Sequence, residues 1–314
     1  MRGRLLRLLF ATVVGLGLAE AGVRVLYGDL PSVAAIEAAG FELVTHEARG
    51  PCPAPAYLRQ KESRDRVVGE GPVLELWALG DSMTWGVGVE AEQTWPWKLA
   101  GQMAEGRQVR LSNLGMPGAG ICDLGVALDR ALREGSPDQL VVGLYADDLE
   151  HLGRLAVRGE PVAFPSQARP AALVPVVSGS YLANLVWFGA VGRSGSAPRV
   201  ADADSQVVFT DTIRMIDRRV ADAGGDTLFV LVPPLGLSGC TPSDDEEDAC
   251  GRLSADLAVM RERLSELQVE VLDLSSIWDD GDIAPIDQEA DWELAIHPGP
   301  EGHSRLAEAI AQAL

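Results

Sequence analysis

The chain reads Val73-Leu-Glu-Leu-Trp-Ala-Leu79 and then Gly80-Asp-Ser-Met-Thr-Trp-Gly86, and this stretch decides the fold. The first seven residues form an apolar run of strand length that ends at a glycine. Ser82 follows two residues later, so we expect it at the carboxyl end of a strand, where open α/β sheets bind their ligands. The alternative is that Asp81 and Ser82 only cap a following helix, as these residue types often do.

Strand and helix patterns alternate after this stretch. Short apolar runs bounded by Gly, Pro, Asp or Asn are typical of parallel strands that are buried on both faces. The predicted strands are 73–79, 109–114, 140–145, 227–232 and 269–274. The predicted helices are 95–104, 121–134, 206–223, 253–267 and 303–314. The alternation predicts an α/β protein, a three-layer α/β/α sandwich around a five-stranded parallel sheet.

Composition and charge narrow the class of protein. The 314 residues are 47% hydrophobic, which is enough to fill the core of an α/β domain. The formal net charge is −20 at pH 7, and a surface this acidic repels phosphate backbones, so we expect no nucleic-acid partner. The sequence has no phosphate-loop pattern and no ligand cluster, so it implies no nucleotide, cofactor or metal.

The first 27 residues differ from the rest of the chain. Three arginines within the first seven residues precede the apolar run 8–19, and Ala19-Glu-Ala21 fits a cleavage site, which is the layout of a secretory signal. Alternatively, residues 5–26 form one transmembrane anchor, long enough to span about 30 Å of hydrocarbon. The arginines would then hold the amino terminus in the cytoplasm. A buried amphipathic helix of a cytosolic protein is the third interpretation.

Two segments interrupt the alternation. Residues 28–72 contain five prolines and are interpreted as a connector with at most one short helix near 32–39. The globular domain therefore spans 73–314. Within it, residues 149–204 form a proline-rich insertion. This insertion is either a lid or acyl-binding wall over the carboxyl ends of the strands, or a packed helical excursion without substrate contact.

Cys240 and Cys250 bracket the acidic run 244–248. In an oxidising compartment these two cysteines would close the loop as a disulfide and stabilise it by restricting the unfolded chain. Whether Cys52 and Cys122 pair stays open at this stage.

Three further polar or glycine-rich segments follow predicted strands. They are 113–120, 146–150 and 296–303. The glycines of the first segment allow a close approach of the backbone. Because the carboxyl ends of parallel strands meet at one edge of a sheet, we expect all three segments to converge with Ser82.

The stretch around Ser82 and these three segments, taken in this order, resemble the four conserved sequence blocks of the SGNH, or GDSL, hydrolase family. The resemblance covers most of residues 73–314. Gly80-Asp-Ser82 matches the nucleophile block, and the other three matches are 113–120, 144–149 and 297–303. The amino-terminal segment is similar to that of the membrane-anchored bacterial branch. The resemblance implies a flavodoxin-like fold and a serine esterase, a lipase-type hydrolase or an O-acyltransferase that is exported, periplasmic or extracytoplasmic.

The resemblance also implies a role for each matching residue. Ser82 would attack an ester carbonyl while His297 removes its proton, because a hydroxyl is a poor nucleophile without a base within hydrogen-bond reach. The backbone N–H groups of Ser82 and Gly118 would hold the resulting oxyanion. The acyl group would then pass to water, or to a sugar hydroxyl in a transferase.

Two positions depart from the family pattern. Asp147 stands where the family has an asparagine that donates to the oxyanion, and a carboxylate there contributes only if it is protonated or if a backbone N–H replaces it. Leu294 stands where the family has the acid that orients the histidine. Asp291 and Glu293 are the nearby candidates for that role; otherwise Ser82 and His297 act as a dyad. A catalytically impaired domain that binds an acylated cell-envelope component is therefore the alternative function.

Overall fold

The computed structural model describes residues 41–45, 56–60, 63–117, 119–149, 155–157, 160–162, 203–232, 249–274 and 297–314. Several predictions from the sequence fall outside these residues. They concern the amino-terminal segment, the short helix at 32–39, most of the 149–204 insertion and the acidic loop after Cys240. No helix within the described ranges has both the length and the apolar character of a membrane span.

The core of the molecule is a six-stranded mixed sheet. The chain's strands are β1 (Phe41–Thr45), β2 (Ala56–Gln60), β3 (Arg66–Val68), β4 (Val73–Gly80), β5 (Gln108–Gly115), β6 (Gln139–Tyr145), β7 (Leu155–Val157), β8 (Glu160–Val162), β9 (Asp226–Val232) and β10 (Glu270–Asp273). The large sheet has the order β10-β9-β6-β4-β5-β3. Its first five strands pair in parallel, which confirms the predicted parallel sheet.

The sixth strand, β3, was not predicted. It pairs antiparallel with β5 at the edge of the sheet, with Arg66 opposite Leu111 and Val68 opposite Val109. A second pair of unpredicted strands, β1 and β2, forms an antiparallel hairpin. Residues 28–72 were interpreted as a connector with at most one short helix, and the structure has strands at these three places. Strands of three to five residues gain their stability from pairing with a partner, and a local pattern does not reveal that partner.

Helices cover both faces of the sheet. They are α1 (Ser82–Trp85), α2 (Trp95–Met103), α3 (Ile121–Ala131), α4 (Ala203–Asp222), α5 (Ala249–Glu266) and α6 (Pro300–Ala313). Side chains of β4 alternate between two apolar clusters: Trp77 and Leu79 pack with α3, α4 and α5, whereas Leu76 and Ala78 pack with α2 and α6. This alternation is the period-two pattern of a strand buried on both faces, and it produces the predicted three layers.

The order of the strands determines where a site can form. β4 lies between β5 and β6, so the chain leaves β4 toward one side of the sheet and later returns on its other side. Such a change of direction opens a crevice beyond the carboxyl ends of the strands, and ligands of open α/β sheets bind there. The segments that follow β4, β5 and β6 therefore meet at this edge.

Candidate active site

A tight turn presents Ser82 at the carboxyl end of β4. Asp81 is the N-cap of α1, and its Oδ1 accepts a hydrogen bond of 2.9 Å from the backbone N–H of Met83. The other carboxylate oxygen, Oδ2, lies 3.5 Å from Ser82 Oγ. A side chain at Gly80 would collide with Thr84 and with the carbonyl of Gly143. The Gly-Asp-Ser sequence is therefore required by packing and by capping, and it leaves the serine hydroxyl at the edge of the sheet.

His297 lies beside that hydroxyl. Its Nε2 is 2.8 Å from Ser82 Oγ, and the residue is only 7% exposed. Pro298 and Gly299 connect it to α6, whose first residue is Pro300. In the tautomer with the proton on Nδ1, Nε2 can accept the serine proton, which is the geometry that nucleophile activation requires.

The carboxyl end of β5 is hydrogen-bonded to the turn that carries Ser82, residues 80–86, which we call the serine turn. Asn113 donates from Nδ2 to the carbonyl of Thr84 at 3.2 Å, and its Oδ1 accepts from the N–H of Gly115 at 2.9 Å. The N–H of Met116 donates to the carbonyl of Gly80 at 2.9 Å. These bonds fix the end of β5 against the serine turn. Gly118, the predicted oxyanion donor, lies outside the described residues.

A buried carboxylate closes the turn after β6. Residues Ala146–Leu149 form one 3₁₀ turn, and Asp148 Oδ2 accepts a hydrogen bond of 2.7 Å from the N–H of Tyr145. Asp148 is fully buried. Asp147 belongs to the same turn, but its side chain is not among those described. The third predicted segment therefore begins at the carboxyl edge of the sheet, directly after β6.

A second histidine anchors α6. His303 is fully buried in the first turn of α6, and its Nδ1 accepts a hydrogen bond of 3.2 Å from the backbone N–H of Trp95 at the start of α2. Burial, together with the smaller effects of the neighbouring charges of His297, Lys98 and Arg64, lowers the pKa of His303 to about 3. His303 is therefore a neutral ring that joins two helices six residues after His297.

Asp123 caps the helix that follows the glycine-rich segment. Its Oδ2 accepts a hydrogen bond of 3.1 Å from the N–H of Gly120, the N-cap of α3. The residue is 3% exposed, and burial raises the pKa of its carboxyl to about 7, although the Gly120 hydrogen bond opposes this shift. Asp123 was not among the predicted site residues, although an acidic residue at the third position of a helix is a capping signal.

A cavity of about 660 Å³ lies along the α3 side of β4 and β5. Its lining includes Trp77, Trp85, Met116 and Arg130, but neither Ser82 nor His297. The Ser82–His297 pair, and not this cavity, therefore defines the candidate site.

The structure brings together two of the six predicted site residues, Ser82 and His297. The other four are not tested, because Gly118, Asp291 and Glu293 lie outside the described residues and the side chain of Asp147 is not described. Arg64, which contacts the serine turn from the predicted connector, was missed. Its sequence neighbourhood carries no signal for that contact.

The mixed, mainly parallel sheet between two helical layers thus carries a serine at the end of a central strand, with a histidine within hydrogen-bond reach. The GDSL-like Lipase/Acylhydrolase family profile matches residues 78–305, and the chain belongs to that family. At the level of the family it is an ester hydrolase. No curated protein matches the chain.

Several solved structures are similar to this chain at low identity. The α/β hydrolase LAE5 from the Lake Arreo metagenome is 18% identical, with 78% of this chain and 96% of that chain covered and a TM-score of 0.46. The acetylxylan esterase Axe2 from Geobacillus stearothermophilus is 13% identical, with 78% and 95% covered and a TM-score of 0.47. The acetyl xylan esterase AlAXEase is 16% identical, with 77% and 100% covered and a TM-score of 0.45.

Proposed function

We propose that this protein hydrolyses carboxylic esters through an acyl-enzyme on Ser82, with His297 as the general base. The observation that carries the proposal is the 2.8 Å contact between Ser82 Oγ and His297 Nε2 at the carboxyl edge of the sheet. A serine hydroxyl becomes an effective nucleophile only when a base can take its proton in the transition state. A packed histidine at this distance meets that requirement.

The acylation step follows from this geometry. Ser82 Oγ forms a bond to the ester carbonyl carbon as its proton moves to His297 Nε2. The resulting tetrahedral intermediate carries its negative charge on the former carbonyl oxygen. When the intermediate collapses, the bond to the alcohol oxygen breaks, and the imidazolium of His297 returns its proton to that oxygen.

Backbone N–H groups are the proposed donors to the oxyanion. Ser82 is the first residue of α1, so its N–H has no acceptor within the helix and lies at the positive end of the helix. Gly118 is the proposed second donor. In other enzymes each such donor contributes about 3 kcal/mol to transition-state stabilisation. Asp147 would take part only if it were protonated.

Deacylation uses the same groups in the reverse order. A water molecule attacks the acyl carbon while His297 Nε2 removes its proton, and the bond to Ser82 Oγ then breaks as the proton returns to that oxygen. Asp291 or Glu293 is the proposed acid that orients His297. A sugar hydroxyl in place of water would make the same machinery an O-acyltransferase.

We propose further that the enzyme acts outside the cytoplasm, on a small-molecule ester or on an ester of the cell envelope. The support lies in the sequence of residues 1–27, with its basic start and apolar run, and the proposal includes both a cleaved signal and a retained anchor. A disulfide between Cys240 and Cys250 would suit that compartment.

The test is hydrolysis of p-nitrophenyl acetate and butyrate by the full chain purified in mild detergent. Ser82→Ala should abolish turnover, whereas the matched control Ser265→Ala, at an exposed serine of α5 whose hydroxyl donates to the Glu262 carbonyl, should keep it. Asp147→Asn should raise the rate if the carboxylate opposes the oxyanion. A folded protein that is inactive in all forms but binds acylated glycans would favour the alternative, a catalytically impaired binding domain.

A further inference from the structure

Arg64 reaches from the predicted connector to the turn that carries Ser82. Its Nη1 lies 2.9 Å from the carbonyl oxygen of Trp85, 3.0 Å from that of Gly86 and 3.2 Å from that of Val89. Its guanidinium carbon lies 4.6 Å from the centroid of the Trp85 ring. One nitrogen with two protons thus faces three acceptors while the rest of the group stacks on an aromatic ring.

Two of these acceptors, on Trp85 and Gly86, lie at the end of α1, and the third, on Val89, follows three residues later. α1 contains only four residues, from Ser82 to Trp85, and Gly86 ends it in the left-handed conformation with φ at 83°. A helix this short has no stability of its own, and its last carbonyls lack donors within the helix. A cation at the carboxyl end of a helix also interacts favourably with the helix dipole.

The position of Ser82 depends on the same turn. The carbonyl of Ser82 accepts from the N–H groups of Gly86 at 2.9 Å and Val87 at 3.1 Å. Any shift of residues 85–89 is therefore transmitted to the serine backbone. Arg64 lies outside this turn, 21 residues before Trp85 in the sequence. Its side chain donates to three carbonyls of residues 85–89.

We propose that Arg64 is a positioning residue for the nucleophile: it holds the end of α1 so that Ser82 Oγ stays within hydrogen-bond reach of His297 Nε2. The inference rests on the proposed esterase function. It extends the catalytic unit before residue 73, the start predicted for the globular domain. The hydrogen bonds of Arg64 described above go to backbone carbonyls of residues 85–89, so its proposed effect on Ser82 is indirect.

The chain offers a matched control in Arg66. Its Nη1 donates to the carbonyl of Trp97 at 2.5 Å, and its guanidinium carbon lies 4.8 Å from the centroid of the Trp97 ring. Arg66 therefore makes the same two kinds of contact, carbonyl and aromatic, but it makes them with α2. A general loss of packing would lower the activity of both arginine variants, whereas a loss of serine positioning would lower the activity of the Arg64 variant alone.

The experiment compares Arg64→Met, Arg64→Lys and Arg66→Met in the full chain. Steady-state hydrolysis of p-nitrophenyl acetate is measured together with thermal unfolding. We expect Arg64→Met to lower kcat by about 10- to 100-fold, the usual effect of a displacement near 1 Å, while KM changes by less than about threefold. Arg64→Lys should recover part of the loss, because an ammonium can still donate to the carbonyls. Arg66→Met should leave kcat within about twofold of wild type even where its unfolding temperature falls.

A second readout does not depend on turnover. The chain has four histidines, so the imidazole NMR signals of His297 can be assigned with single His→Gln variants. Ser82→Ala and Arg64→Met should both shift these signals, and Arg66→Met should not.

Unchanged His297 signals in Arg64→Met, or equal kcat in the two Met variants, would overturn the role of Arg64. An inactive wild type would instead overturn the proposed function, while the His297 signals would still decide the question of positioning.

Discussion

Nε2 of His297 lies 2.8 Å from Oγ of Ser82, although 215 positions separate the two residues in the sequence. Ser82 follows a central strand, β4, whereas His297 precedes α6, which packs in a layer on one face of the sheet. The contact forms only when α6 is docked on the sheet and the turn after β4 is held in place. The distance between these two atoms therefore depends on the correct packing of both elements.

The two residues should act as a unit. We expect Ser82→Ala and His297→Gln each to lower kcat for an ester by at least about 10³-fold, and the double variant to be no worse than about tenfold below either one, because each change alone disables the same step. Burst and steady-state kinetics on all three variants provide the measurement. Losses that multiply in the double variant would show that the two side chains contribute independently.

Gly80 should tolerate no side chain. A Cβ at this position would lie 2.7 Å from the carbonyl oxygen of Gly143 and would also collide with Thr84 of the serine helix. We expect Gly80→Ala to cost about 1–3 kcal/mol of unfolding free energy through overpacking, and to lower kcat because α1 must shift. Urea unfolding and ester hydrolysis measure the two effects.

The control for this prediction is Gly135→Ala. A Cβ there would meet only the Trp77 ring, at an ordinary contact distance of 3.7 Å. Its effect on both measurements should be small. Equal losses in the two alanine variants would contradict the packing argument.

The sheet could be predicted because its strands carry their own signal. β4 was expected at 73–79 and lies at Val73–Gly80, since a short apolar run between turn residues is typical of a buried strand. β3 could not be predicted in this way. Its three residues lie among charged neighbours and become a strand only through their pairing with Val109–Leu111 of β5.

The candidate site also contains residues with a local sequence signal and one residue without such a signal. Ser82 and His297 could be found because they lie in recognisable motifs close to the ends of elements. Arg64 could not, because its importance lies in contacts with Trp85, Gly86 and Val89 that arise only after β3 has joined the sheet. The pKa of Asp123 likewise reflects burial, which a sequence does not display.

His303 should make the fold sensitive to acid. Its pKa is about 3 when folded and 6.5 in the unfolded chain, so the unfolded state binds more protons between these values, and stability should fall as the pH decreases from about 6.5 toward 3. His303→Asn supplies an oxygen that can accept from the Trp95 N–H and does not titrate. The loss of unfolding free energy between pH 7 and pH 4.5 should therefore be smaller in His303→Asn than in wild type. Urea unfolding at the two pH values measures this loss of unfolding free energy. Equal losses in His303→Asn and wild type would refute the prediction.

Asp123 should produce the opposite pH dependence. Its pKa rises from 3.8 in the unfolded chain to about 7 in the fold, so the native state binds more protons between these values, and stability should fall as the pH rises from about 4 to about 7. The full effect is of the order of 4 kcal/mol, because one pKa unit corresponds to about 1.4 kcal/mol.

Asp123→Asn tests this directly, because its amide oxygen can still accept from the Gly120 N–H but cannot ionise. We expect the unfolding free energy of Asp123→Asn to exceed that of wild type by an amount that grows between pH 5 and pH 8. Asp123→Ala removes the acceptor as well, so it should lose about 1 kcal/mol relative to Asp123→Asn at every pH. A difference between Asp123→Asn and wild type that stays constant over this range would mean that the buried carboxyl does not titrate there.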